Sequence, residues 1–500
     1  MRPALKAFLV AALVLSGIGP AMAVEPPATA AVEVANAPAA GAATIDAVGT
    51  PVPAPAAHPS DPTPPDDRIV TIVFGGDLGL GGSNQPVLSS GALRHGKRQG
   101  WSELTAGIAP LIDGDINFAN LETVVTERND LRANPKAFNF KSHPAGVRHL
   151  IDRGFNVFSL ANNHALDYGE AGARETVRHL ESLADYGLKA WPGLGVGREQ
   201  AARPADVTVK GARVRISAIG IGGHGLAERK ADGDRQRAGM LNYNRTGDYY
   251  ETIDRLADAE GDLRILSVHY GAELQVRAAR ADVSKLRDEA LRGAGIDIVV
   301  GHHAHVPAGV QIVDGSLILY GLGNLLHPGM QDMAGFGICR DYGLLVRVHT
   351  VREQRRLAIR AVEVVPLTDM HIFTRPLEGE AGRQRVEVLN HLAAELDAPD
   401  ALASGVRFAP QPDGRGLYCM PGADREPGRI GLLCKGWESP KPPSAELSRR
   451  IASSCGGSVV ARSRVGPDDE RRAGQERARV SRHRPDAPVG GSVLSSFFGW

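Results

Sequence analysis

Residues 264–303 read RILSVHYGAELQVRAARADVSKLRDEALRGAGIDIVVGHH. The stretch opens and closes on apolar runs, RILSVHYG (264–271) and IDIVVGHH (296–303), that have the character of buried strands. Between them, DVSKLRDEALRGAG (282–295) spaces its apolar residues as a helix does and ends on glycine, where a C-cap belongs. The same pattern extends upstream: IVTIVF (69–74), NVFSLA (156–161) and VRISAIG (214–220) read as strands, and EAGARETVRHLESLADYG (170–187) as a helix. Strands alternating with helices predict an α/β domain whose central sheets are covered by helices. Downstream, GVQIVDGSLILYGLGN (309–324) turns on Asp314-Gly315, a hairpin signal, and YGLLVRVHT (342–350) and RRLAIRAVEVVPL (355–367) read as further strands with little helix between them.

At about 150 residues per domain, a chain of 500 residues carries a prior of about three domains. The unbroken succession of elements instead predicts one domain over 68–369, with 370–438 a less regular appendage and no internal repeat. Lys+Arg 57 against Asp+Glu 57 leaves a formal net charge of zero, so no global field draws a polyanion and nucleic acid is not an expected partner. With 43% hydrophobic and 23% charged residues, the bulk of the chain reads as soluble and globular.

The flanks differ in kind. Residues 1–23 place Arg2 and Lys6 ahead of a short apolar run and close on Ala21-Met22-Ala23, the pattern of a cleaved secretory signal peptide. The run is shorter than a membrane span and is interrupted by Gly17 and Pro20, so the expected product is exported, periplasmic or extracellular. Residues 24–67 are an Ala/Pro-rich spacer without large apolar residues, and 439–500 form an Arg-rich tail without apolar periodicity; both are expected to lack structure. The four cysteines, Cys339, Cys419, Cys434 and Cys455, match no zinc spacing. In an oxidising compartment they allow three pairings if all are joined. Cys419 with Cys434 is favoured because it closes a short Gly/Pro-rich loop, and free thiols remain the alternative.

The polar residues that stand out follow the expected strands, where an α/β sheet presents groups to a crevice. They are Gly75-Gly76-Asp77, Asn120-Leu121-Glu122, Asn162-Asn163-His164 with Asp167, His269 with Glu273, and Gly301-His302-His303-Ala304-His305. Each alone has a bland reading: Asp77 as a turn or N-cap residue, Glu122 as a surface carboxylate, His269 as a hydrogen-bonded core histidine. Jointly, carboxylate, amide oxygen and imidazole without thiolate make a set suited to Mn²⁺, Zn²⁺ or Fe²⁺. On an extended segment His303 and His305 would share a face, so one segment would serve two ions. Two ions about 3.5–4 Å apart activate water and stabilise an oxyanion in hydrolysis of a phosphoester or related centre.

In order, GGDLGLGG (75–82), FANLETVVT (118–126), SLANNHALDYGEAG (159–172), HYGAEL (269–274), VVGHHAHVPAGVQ (299–311) and LILYGLGNLL (317–326) resemble the blocks of the bacterial poly-gamma-glutamate capsule synthesis (CapA-like) family. That family is similar to calcineurin-like metallophosphoesterases, and the resemblance implies their fold, a sandwich of two β-sheets flanked by helices. It also implies metal ligation by Asp77, Glu122 as a bridging carboxylate, Asn163, His269, His303 and His305. His164 then acts as general acid or transition-state stabiliser, oriented by Asp167; Glu273 supports His269, His302 is a variable position, and Asn324 has no assigned role. Two departures stand out: Leu78-Gly79-Leu80 follows Asp77 where metallophosphoesterases carry Asp-x-His, and a glutamate replaces the Gly-Asp aspartate. One histidine ligand is therefore missing, so one or two divalent ions are expected. The implied activity is metal-dependent hydrolysis in the formation or release of an anionic extracellular polymer, at a phosphoester or, alternatively, with hydrolysis or transfer at a gamma-glutamyl amide. The rival expectation is a non-catalytic polymer-binding assembly or export component, and a membrane capsule-synthesis complex is an expected partner in either case.

Overall fold

The segment 264–303 forms strand, helix and strand as read, and it sits at the centre of a sheet. The computed structural model describes residues 67–222, 237–396, 406–441 and 444–456. The signal peptide, nearly all of the 24–67 spacer and the tail beyond residue 456 lie outside the described residues.

Among the described residues the principal strands are β1 (Ile69–Leu78), β2 (Ile116–Leu121), β3 (Val157–Ser159), β4 (Ala205–Val209), β5 (Ala212–Gly220), β6 (Leu263–His269), β7 (Ile298–His302), β8 (Val310–Val313), β9 (Ser316–Leu319), β10 (Asn324–Leu326), β11 (Gly343–Glu353), β12 (Arg356–Thr368) and β13 (Gly416–Cys419). One sheet runs β13-β12-β11-β1-β2-β3, with β10 on the end of β1. The other runs β8-β9-β7-β6-β5-β4. β1, β2 and β3 are mutually parallel, as are β5, β6, β7 and β9.

The alternation of side chains shows how the sheets are layered. Ile298 and Val300 of β7, and Leu317 and Leu319 of β9, join one large core with Ile72, Phe74 and Phe118 of the first sheet. Val299 and Ile318, one residue out of phase, point the other way into a second cluster. That second cluster is filled by Tyr249, Ile253 and Leu256 of helix Thr246–Asp258, and by Leu286, Ala290 and Leu291 of Lys285–Gly293. Period-2 alternation therefore gives the second sheet one face against the first sheet and one against helices. Between the inner faces, the Ser267 and Ser159 hydroxyls meet at 2.9 Å. Helices Pro144–Asp152 and Gly169–Leu183 contribute Val147, Leu150, Val177 and Leu180 to the large core. The result is the expected sandwich of two β-sheets flanked by helices.

The Asp314-Gly315 hairpin forms between β8 and β9, with φ of 53° and 85°, the paired left-handed turn that such a dipeptide favours. The favoured disulfide Cys419–Cys434 is present, and Cys339–Cys455 is joined as well. Two expectations need correction. The region from residue 370 is less irregular than expected: helix Gly379–Ala394 packs Val386, Val388 and Leu389 into the main core, and β13 extends the first sheet beyond β12. The Arg-rich stretch is not structureless from residue 439 either, because Ala445–Cys455 is a helix with Ile451 buried and Cys455 bonded to Cys339. Neither long-range anchor has a local sequence signal.

The feature that positions the site is a change of neighbour along β1. Ile69 to Phe74 pair antiparallel with β11; after Gly75-Gly76, Asp77 and Leu78 pair parallel with β10, Asp77 opposite Asn324. At the switch the two chains approach so closely that a Cβ on Gly76 would stand 1.9 Å from the Gly323 carbonyl oxygen. Gly76→Ala must push backbone apart, and overpacking of this kind costs about 1–3 kcal/mol. Thermal denaturation of Gly76→Ala should show a melting temperature several degrees below that of the unaltered protein, whereas an unchanged melting temperature would mean the contact is not tight.

Candidate metal centre

The carboxyl ends of the parallel strands of both sheets meet at one place. Asp77 is the penultimate residue of β1, Asn120 the penultimate residue of β2 with Glu122 just beyond its end, the loop after β3 carries Asn162-Asn163-His164, β6 ends on His269, and β7 ends on His302 and runs into His303 and His305. Asp77, Glu122, Asp167, His269, His302, His303, His305 and His327 are all buried. Among the described residues, two sets of three have ligand atoms within 4.8 Å of one another: Glu122, His269 and His303, and Asp77, Glu122 and His305. Glu122 belongs to both.

The two acids are treated differently by their surroundings. Asp77 Oδ1 accepts from the Asn120 amide at 2.9 Å, and Oδ2 from the His303 backbone N–H at 3.2 Å. His302 Nδ1 and His305 Nδ1 stand 3.3 and 3.2 Å from its two oxygens. Burial opposes ionisation, but these imidazoles hold Asp77 well below the usual carboxylate range. Neither oxygen of Glu122 has a hydrogen-bond partner. Burial first, and the Asp77 charge second, push its pKa well above the usual range. His305 lies between them: burial disfavours its cation, yet Glu122 and Asp77 raise its pKa to about 10. Burial and the neighbouring His305 lower His303 to about 3, and burial and His303 hold His269 well below its normal value.

A fully buried carboxyl group without hydrogen bonds gives up its charge by taking a proton unless a cation meets it. Glu122 together with neutral imidazoles, a second carboxylate and the Asn163 side-chain oxygen forms a borderline-to-hard donor set without thiolate, so the residues fit divalent ions. Asn163 Oδ1 is 2.8 Å from His269 Nε2, which itself stands 3.5 Å from Glu122 Oε1.

His164 and Asp167 form a second unit beside the triads. His164 Nδ1 is 2.7 Å from Asp167 Oδ2, and His164 Nε2 lies 3.9 Å from Glu122 Oε1. The same Asp167 oxygen accepts the Phe140 N–H at 2.5 Å, and Lys136 Nζ pairs with the other at 2.5 Å while donating to the Asn163 carbonyl at 3.0 Å. Burial lowers the His164 pKa, and Asp167 partly restores it.

The eight residues expected as metal ligands or as the catalytic pair, Asp77, Glu122, Asn163, His164, Asp167, His269, His303 and His305, come together. The reason given for the last two is corrected. His303 and His305 are not on an extended strand; both lie in a bend with positive φ, 89° and 55°. The bend sends His303 to one triad and His305 to the other, their ring centroids 6.2 Å apart. Such backbone costs of order 1–3 kcal/mol per residue, and the surrounding packing must hold it in place. Asn120, rather than Glu273, meets the far nitrogen of His269, at 3.2 Å. His302, read as variable, pairs with Asp77, and Asn324 Oδ1 is 2.9 Å from His305 Nδ1. Asn162 braces the loop, donating to Asn120 Oδ1 at 3.2 Å and to the Leu121 carbonyl at 3.0 Å. Lys136 and His327 carry no signal in the sequence, because neither belongs to a histidine or glycine cluster.

Residues 71–328 match the family model described as bacterial capsule synthesis protein PGA_cap. A Mycobacterium tuberculosis protein named "Probable polyglutamine synthesis accessory protein" is 30% identical over 301 residues, which cover 54% of this chain and 76% of that protein. The PGA biosynthesis protein CapA of Bacillus subtilis is 25% identical, covering 64% and 77%. The capsule biosynthesis protein CapA of Bacillus anthracis is 23% identical, covering 64% and 72%. The chain thus belongs to the bacterial capsule synthesis protein PGA_cap family.

Proposed function

We propose that this protein is an exported, metal-dependent hydrolase of capsule-polymer metabolism that acts at a phosphoester centre. The observation that carries the reading is the shared carboxylate: Glu122 belongs to both buried triads, and neither of its oxygens is hydrogen-bonded within the protein. Such a group suits a bridge between two divalent ions, with Mn²⁺, Zn²⁺ and Fe²⁺ the first to test. The relatives' names speak of PGA, polyglutamine and capsule synthesis. The proposed setting is therefore poly-gamma-glutamate, an anionic polymer, handled together with a membrane capsule-synthesis complex. Export is supported by the two disulfides, which persist in oxidising compartments, and by the reading of residues 1–23. No helix among the described residues is long and apolar enough to cross a membrane.

Asp77, Glu122 and His305 would hold one ion, and Glu122, His269, His303 and Asn163 the other. When bound, the ions supply Lewis acidity and fix an oxyanion. Asp167 accepts from His164 Nδ1, which fixes the tautomer and leaves Nε2 facing the site as the atom that takes or gives the proton. Lys136, paired with Asp167 and donating to the Asn163 carbonyl, ties the His164 loop to the carboxylate that orients the imidazole. Buried Phe140, 4.4 Å from the His164 ring, keeps water from that side of the imidazole.

His164→Ala should lower turnover of a phosphoester substrate by about 10²–10⁴-fold and leave metal content unchanged. Full activity in that variant would remove His164 from the reaction, and turnover confined to gamma-glutamyl amides would redirect the substrate assignment. A second expectation concerns pH. Glu122 and Asp77 raise the His305 pKa to about 10 against the effect of burial, so an ion entering its triad is expected to displace a proton. The proton is bound throughout the neutral range and is lost only as pH rises through the raised pKa. Ion affinity should therefore climb by about tenfold per pH unit across the neutral range, with at least one proton released per ion. Calorimetry in two buffers of different ionisation enthalpy reads that release; affinity that ignores pH would contradict it.

A further inference from the structure

His327 is a fully buried imidazole, and neither of its ring nitrogens has a partner. A neutral imidazole carries one donor and one acceptor, and leaving such groups unmade in the interior is costly. The backbone is not the source of the problem, since the His327 N–H donates to the Met370 carbonyl at 2.7 Å.

The position of this ring follows from the switch of neighbours on β1. β10 pairs with the end of β1, and the Gly79 N–H donates to the Leu326 carbonyl at 2.9 Å, so the residue after β10 is delivered beside residue 79. A Cβ on Gly79 would lie 3.0 Å from both Cε1 and Nε2 of His327. The imidazole thus fills the space into which a side chain at 79 would project, two positions after Asp77. Its ring is edge-on to His305 at 6.2 Å between centroids and edge-on to Phe140 at 4.7 Å.

The two triads are unequally supplied. Glu122, His269 and His303 have the Asn163 oxygen as a fourth donor. Asp77, Glu122 and His305 have no such fourth donor among the residues placed so far. His302 also lacks hydrogen-bond partners on its ring nitrogens, but it stands 3.3 Å from Asp77 Oδ1 and stacks on Phe118, so its environment is accounted for. His327 has no such account.

We propose that His327 is a further ligand of the ion held by Asp77, Glu122 and His305, reaching from β10 into the space left by Gly79. The inference rests on the two-ion reading above and goes beyond it by assigning a ligand. An imidazole in that place supplies a fourth donor where Gly79 contributes no side chain, and the glycine is what makes room for it.

The test is metal content by mass spectrometry, with Zn²⁺ and Mn²⁺ titrations, on the purified full chain and on His327→Ala. The unaltered protein should hold two ions. His327→Ala should keep one and bind the second more weakly by more than the roughly 10–100-fold that loss of an outer partner costs. Gly79→Ala, which retains the histidine but crowds it, should weaken the same ion, and circular dichroism of both ion-free variants checks that they fold. Cobalt substitution adds a signature, since loss of a nitrogen ligand alters the visible spectrum. Two ions held with unchanged affinity and spectrum in His327→Ala would overturn this assignment alone. No ion in the unaltered protein would overturn the two-ion reading and the assignment with it.

Discussion

Two carboxylates, Asp77 and Glu122, are fully buried within one site where the two sheets meet, and the arrangement around them follows from that constraint. Taking an ionised carboxylate out of water costs several kcal/mol unless charge and hydrogen bonds are returned to it. For Asp77 the protein returns them itself, through Asn120, the His303 backbone and the imidazoles of His302 and His305. For Glu122 it returns no hydrogen bond. That asymmetry separates a structural polar cluster, in which every acid is satisfied, from a site built around something more. Beside the two acids, Glu122 and Asp77 together raise the His305 pKa to about 10 against the effect of burial.

The fold brings these groups together by parallel pairing. Strands that run the same way end at the same edge, so β1, β2 and the loop after β3 in one sheet and β6 and β7 in the other bring their site residues to one place. The Gly75-Gly76 step lets β1 leave β11 and take up β10, which brings Asn324 opposite Asp77 and His327 beside Gly79. One change of neighbour thus serves both the architecture and the donor set.

Much of this was legible in the sequence because it is written locally. Apolar runs of strand length, helical spacing at 170–187 and 282–295, and the Asp314-Gly315 turn each depend on neighbours within a few residues, and the polar residues that end the strands stand in the same local windows. What was hidden is non-local. His327 has meaning only through the pairing of β10 with β1, Lys136 only through Asp167, and Asn120 only because its amide reaches both Asp77 and His269. The His303-Ala304-His305 triplet was rightly singled out for the wrong geometric reason, since a left-handed bend, and not strand alternation, parts the two rings. The stretch after Ser439 reads as structureless because its composition is polar, while a disulfide to Cys339, 116 residues back in the chain, anchors the helix Ala445–Cys455.

The central claim is that Glu122 is shared between two ions, and the most direct test is the metal stoichiometry of the protein beside Glu122→Gln. The amide keeps the size of the side chain and removes its charge. Two ions per chain in the unaltered protein, with both weakened together in Glu122→Gln, are the predicted result. Retention of either ion at unaltered affinity in Glu122→Gln, or no bound ion in the unaltered protein, would contradict it.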